Sequence, residues 1–108
     1  MKPRPVIPRV QALRDVQDAV DFYLGEGSAK AALRFVDAVE RAYLHLGRFP
    51  SAGSHRYAHE LDLPGLMSWP VARYPHLIFF LDRGDHVDVW RILHGQRDIP
   101  ASLASARN

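Results

Sequence analysis

Arg73, His76, Arg91, His94, Arg97 and Asp98 gather in the last third of this 108-residue chain, four of them inside the stretch "RILHGQRDIP". Their types suit phosphodiester cleavage. Cutting RNA through its own 2′-OH takes a base near that hydroxyl, cations around the phosphate and an acid at the leaving oxygen. Arg73, Arg91 and Arg97 are candidate cations, and His76 or His94 a candidate base or acid. The plainer alternative makes Arg73 and Arg97 solvated strand ends and His94 a hydrogen-bonded rim histidine.

Three other chemistries compete. His45, His55, His59, His76, His86 and His94 are possible metal ligands, but zinc wants three or four converging side chains, and the His55/His59 spacing follows a glycine loop where a helix is doubtful. No metal site and no cofactor is expected. Ser51, Ser54 or Ser68 with His94 and Asp98 could compose a nucleophilic triad, yet nothing resembles a nucleophile elbow. Trp69, Trp90 and Phe49 are the aromatic anchors of a protein interface, with core packing as the rival reading for both tryptophans.

Composition narrows the field. The chain has room for one domain, residues 1–108, whose size buries roughly two-thirds of the surface its unfolded form exposes. It is 47% hydrophobic and 24% charged, as ordinary globular proteins are. The longest apolar run, Leu77 to Leu81, is far short of the ~20 residues of a membrane span. The opening "MKPRPVIPRV" is basic and proline-rich without an apolar core, so the cytoplasm is the expected compartment. With no cysteine, disulfides, thiolate metal sites and cysteine nucleophiles are excluded. A net charge of +2 is too modest to indicate nucleic-acid binding by itself. The only lysines are Lys2 and Lys30, so any cation in the second half is arginine.

The elements that must position these residues follow from periodicity. Val6, Ile7 and Val10, broken by Pro5 and Pro8, predict a weak edge strand. Leu13, Val16, Val20 and Tyr23/Leu24 predict an amphipathic helix over Gln11–Glu26. Ser28 can cap a second, from Ala29 to about Leu46, with Leu33, Val36, Val39, Tyr43 and Leu46 as its apolar stripe. Joined so closely, the two form an antiparallel hairpin. Strand-like runs follow: "RYAHEL", "LMSWPVARY", "HLIFFLDR" and "HVDVWRILH", the last two joined by a tight turn at "DRGDH". Both parities of "HLIFFL" are apolar, predicting a central strand covered on both faces. In "HVDVWRIL", alternation puts Val87, Val89, Arg91 and Leu93 on one face, and Asp88, Trp90, Ile92 and His94 on the other. The tail offers at most one helical turn. The class is α+β, β-α-α-β-β-β, with the helical hairpin packed on a small antiparallel β-sheet.

The ordered series "AYLHLGRFPSAG", then "ELDLPGLMSWPVARYPHLIFFLDRGDHVDVWRILHGQRDIP", resembles the toxin subunits of the RelE/ParE superfamily, from bacterial type II toxin–antitoxin modules. The resemblance covers nearly the whole chain and implies the same helical hairpin on a sheet. It also implies a small ParD-like antitoxin that wraps the toxin and carries the operator-DNA-binding part of the complex. Two activities divide the superfamily: RelE-like members cut mRNA on the ribosome, and ParE-like members poison DNA gyrase. Where RelE-like toxins often carry arginine before the apolar strand, this chain has Pro75-His76, and only His94 could replace their late aromatic acid/base. The "LHGxRD" ending is closer to the ParE branch. On that reading the chain stabilises plasmids by gyrase inhibition and has no catalytic residue, and Trp69, Arg73, Arg91, His94, Arg97 and Asp98 recognise target or antitoxin, with Asp98 pairing Arg97 or Arg91. On the RelE reading, Arg73, His76, Arg91, His94 and Arg97 surround a phosphate. A non-toxic member acting only in a binding complex is a third possibility.

Overall fold

A computed structural model of the chain describes residues 2–106. Its elements are β1 (Val6–Pro8), α1 (Val10–Gly25), α2 (Ala29–Arg48), α3 (Arg56–Leu61), β2 (Met67–Pro70), β3 (His76–Asp82), β4 (Val87–His94) and α4 (Ile99–Ala106). The sheet runs β1-β4-β3-β2. It is α+β as expected, but mixed: β2–β3 and β3–β4 are antiparallel, while β1 joins β4 in parallel, Val6 opposite Val87. Two antiparallel pairings give β2 and β4 the same direction, and β1, separated from β2 by the helical hairpin, runs with them.

The Ser28 Oγ accepts the Ala31 N–H at 3.0 Å and starts α2 as its sequence suggests. The buried seam of the hairpin keeps part of the expected stripe, with Val39 and Leu46 buried and Val16, Tyr23 and Tyr43 packed against the core, and departs from it elsewhere. Ala12, Asp15 and Ala19 of α1 and Ala32, Phe35, Val39, Ala42 and Leu46 of α2 face inward, whereas Leu13, Leu24 and Leu33 are exposed. Alanines let the helices lie close to the sheet and to each other, and Leu13, Leu24 and Leu33 are left on the outside.

β3 is covered on both faces, as its pattern predicts. Ile78 and Phe80 join the core under the hairpin, and Phe79 joins a second core with Leu63, Leu66, Trp90, Leu93, Ile99 and Leu103. The alternation expected of β4 fails at a bulge: Phe79 pairs with Arg91 and Phe80 with Val89, so Trp90 is an extra residue. Beyond it the faces exchange. Ile92 packs with Val87 and Val89 under the hairpin, and Leu93 joins Trp90 on the far side.

Two further expectations are corrected. "RYAHEL" is the short helix α3, not a strand; Ser54 Oγ accepts the Arg56 N–H, Arg56 and Glu60 pair one turn apart, and Asp62 ends it in the left-handed region at φ 52°. The tail forms more than one turn: α4 begins where Asp98 Oδ1 accepts the Ala101 N–H, and Ile99 and Leu103 are buried against the far face of the sheet. The chain also crosses itself closely at Gly53, where a Cβ would stand 2.7 Å from the Phe80 ring and 2.8 Å from Met67 Cβ.

Candidate functional site: two clefts flanking the helical hairpin

The residues singled out in the sequence do not converge on one place. Arg91 is buried. Its Nε and Nη2 donate to the Asp15 carboxylate at 2.7 and 2.8 Å, and its Nη1 donates to the Ser102 carbonyl of α4 at 3.2 Å. Asp15 also accepts the Ile92 N–H at 2.9 Å. Past Pro8 no strand covers this edge of β4, so a side chain from α1 takes the backbone donor that a strand would otherwise take. Hydrogen bonding to Asp15 holds the Arg91 guanidinium above its ordinary pKa against the opposing effect of burial. Burial, with Asp15 adding to it, pushes the Tyr43 hydroxyl up to about 12. The expected pairing of Asp98 with Arg91 or Arg97 is replaced by its role at the start of α4.

A second buried carboxylate lies on the opposite face of β4. Asp88 accepts from Arg9 Nε and Nη2 at 3.0 and 2.9 Å, from Arg83 Nε at 3.1 Å and from Trp90 Nε1 at 3.2 Å, while the Arg9 guanidinium sits 4.6 Å from the Trp90 ring centre. Burial alone would raise the Asp88 pKa; the donors from Arg9, Arg83 and Trp90 more than offset it and hold the carboxyl below its usual range. This network ties β1, the β3–β4 turn and β4 together.

His76, His94 and Arg97 do share a cleft of about 470 Å³, beside Asp18 and Phe22 of α1. His76 and His94 are cross-strand partners with ring centres 5.4 Å apart. His94 Nδ1 accepts the Gln96 N–H, and His76 Nδ1 is buried without a hydrogen-bond partner. Burial and the neighbouring His94 hold His76 below the ordinary histidine pKa, against a smaller opposing effect of Asp15, so His76 favours the neutral state. The cleft can exchange protons. It lacks the clustered cations that a cleaved phosphate requires.

Trp69 and Arg73 line a different groove of about 820 Å³, between α2 and the β2 end of the sheet. Arg73 occupies the left-handed region at φ 70° in the β2–β3 turn, which Tyr74 anchors by donating its hydroxyl to the Ala31 carbonyl at 2.8 Å. Trp69 stacks on His45 of α2 at 4.6 Å. Arg34 and Arg41 border the same groove, and neither stands among the candidate site residues of the sequence. Asp15, which the helical pattern sets on the polar side of α1, is buried instead: it lies between Ala12 and Ala19 on one helix face, a buried charge that needs a partner.

A protein-family model described as "ParE toxin of type II toxin-antitoxin system, parDE" matches residues 6–99. Among solved structures the chain is similar to one described as "Chromosomal ParDE TA system from P. aeruginosa", with a TM-score of 0.71, 20% sequence identity, and coverage of 84% of this chain and 95% of that chain. No curated protein matches.

Proposed function

We propose a function from one premise: this chain belongs to the ParE toxin family of type II toxin–antitoxin systems. On that premise it is a single-domain cytoplasmic toxin that inhibits DNA gyrase, is neutralised by a ParD-like antitoxin, and serves plasmid stabilisation. The complex reaches operator DNA through the antitoxin. The observation that supports gyrase over mRNA is the commitment of Arg91 to Asp15: the central cation of a nuclease set is enclosed in an ion pair whose side chains are 10% and 4% exposed. Arg73 lines another groove and cannot complete that set.

The reading assigns target or antitoxin contact to Trp69, Arg73, His94 and Arg97. Arg91 and Asp98 support them from behind, one by its buried pair and the other by starting α4. Exposed Leu13, Leu24, Leu33 and Leu44 on the hairpin supply an apolar surface for the antitoxin.

One observation supports the RelE-like alternative, the His76–His94 pair beside Arg97. A single experiment separates the two. Purified chain, freed of antitoxin, is added to gyrase supercoiling reactions and to a translation reaction scored for mRNA cuts. Inhibited supercoiling with intact mRNA is expected. Cut mRNA with unaffected gyrase would replace this reading by the nuclease.

A further inference from the structure

A net charge of +2 conceals a separation of charge across the hairpin. The exposed side of α1 carries Asp18 and Asp21 beside the single cation Arg14, whereas α2 carries the cations Lys30, Arg34, Arg41 and Arg48 beside the acids Asp37 and Glu40. At 100° per residue these four cations fall within about 40° of one another, along about 27 Å of helix at 1.5 Å per residue. They form a rim broken once, by Asp37, which shares this face between Arg34 and Arg41 and also lines the groove. Arg34 and Arg41 border the groove at β2, and Arg48 borders an adjoining cavity of about 560 Å³ that shares His45 with it. Arg73 faces them from the β2–β3 turn. Arg41 is paired with Asp37, but Arg34, Arg48 and Arg73 meet no acid among the described residues.

Where the two cavities meet there is a ladder of rings. His45 lies between Phe49 and Trp69, with ring centres 5.1 and 4.6 Å away. Phe49 is 57% exposed, which leaves its face open to a further ring.

We propose that this groove binds single-stranded nucleic acid, with Arg34, Arg48 and Arg73 on the phosphates and a base stacked on Phe49. Guanidinium forks match phosphate oxygens, and aromatic faces accept any base. An acidic peptide would satisfy the arginines equally, but its carboxylates gain nothing from stacked rings, and the bases of a duplex are already stacked on one another and unavailable to Phe49. The inference goes beyond the assigned target and does not depend on gyrase.

The test is fluorescence anisotropy of labelled fifteen-nucleotide oligo-dT and oligo-U with the chain alone, from 50 to 200 mM salt. Expected is binding of at least one oligonucleotide in the range of about 10⁻⁴ to 10⁻⁶ M, with a logarithmic salt slope of about −2 for three phosphates on a single strand. Arg34→Ala, Arg48→Ala and Arg73→Ala should each reduce that slope by about 0.7. Phe49→Ala should weaken binding by about tenfold at unchanged slope. All four side chains are exposed, and circular dichroism verifies that each variant folds. Absence of binding at 50 mM salt, unchanged slopes in the arginine variants, or binding of a fluorescein-labelled glutamate-rich peptide in place of both oligonucleotides would overturn the proposal.

Discussion

Removing Arg91 leaves the Asp15 carboxylate enclosed without its partner, and that penalty, rather than the strength of the pair, sets the cost. Arg91→Ala should destabilise the protein by about 3–5 kcal/mol in urea unfolding. The double variant Asp15→Asn/Arg91→Met should cost much less, because it removes both charges yet keeps an acceptor for the Ile92 N–H. A loss under about 1 kcal/mol for Arg91→Ala would show that the pair is solvated. The sequence marks Arg91 as chemically capable but conceals its partner, which lies 76 residues away on another element. Residue type and local spacing report what a side chain can do; which neighbour uses up that capacity is a property of the packed fold. His76 and His94 were legible as a pair only once β3 and β4 were in register.

At the scale of elements, periodicity located α1, α2, β3 and β4 to within about two residues of their observed ends. What it misassigned has physical causes. The large residues Leu13 and Leu33 weigh heavily in a hydrophobic pattern, yet close packing of the hairpin selects the small ones, Ala12, Ala19 and Ala32. A one-residue bulge at Trp90 inverts the parity of everything after it, and no residue type announces it. α3, with 6 residues, is too short to show a period. The loop before α3 supplies a sharper test. Phe80 is fully buried, so its ring cannot retreat from a methyl group placed on Gly53. Gly53→Ala should cost about 1–3 kcal/mol by overpacking, read from the thermal midpoint. An unchanged midpoint would mean that this loop shifts freely over the sheet.

For the molecule as a whole, totals mislead where distributions inform. The sum of charges gives no hint that α1 is acidic and α2 basic, since that depends on which face each residue occupies. The apolar content likewise conceals how much remains outside: Leu33 and Leu44 are 72% and 71% exposed along one side of α2. A Leu33→Asp/Leu44→Asp variant should keep the fold, since neither side chain is part of either core. It should bind antitoxin at least tenfold more weakly in calorimetry, and unchanged affinity would place the antitoxin elsewhere. The pairing of β1 with β4 has a consequence in time. Val6 waits for Val87, and Asp15 waits for Arg91, so the earliest part of the chain to leave the ribosome cannot be completed until nearly the last has been made. Helices α1 and α2 can form early as a local unit, but the sheet beneath them assembles late and through distant contacts. A growing copy of this chain is therefore an unfinished object for most of its synthesis, and every surface that β1 and α1 help to build appears only when the last strand is in place.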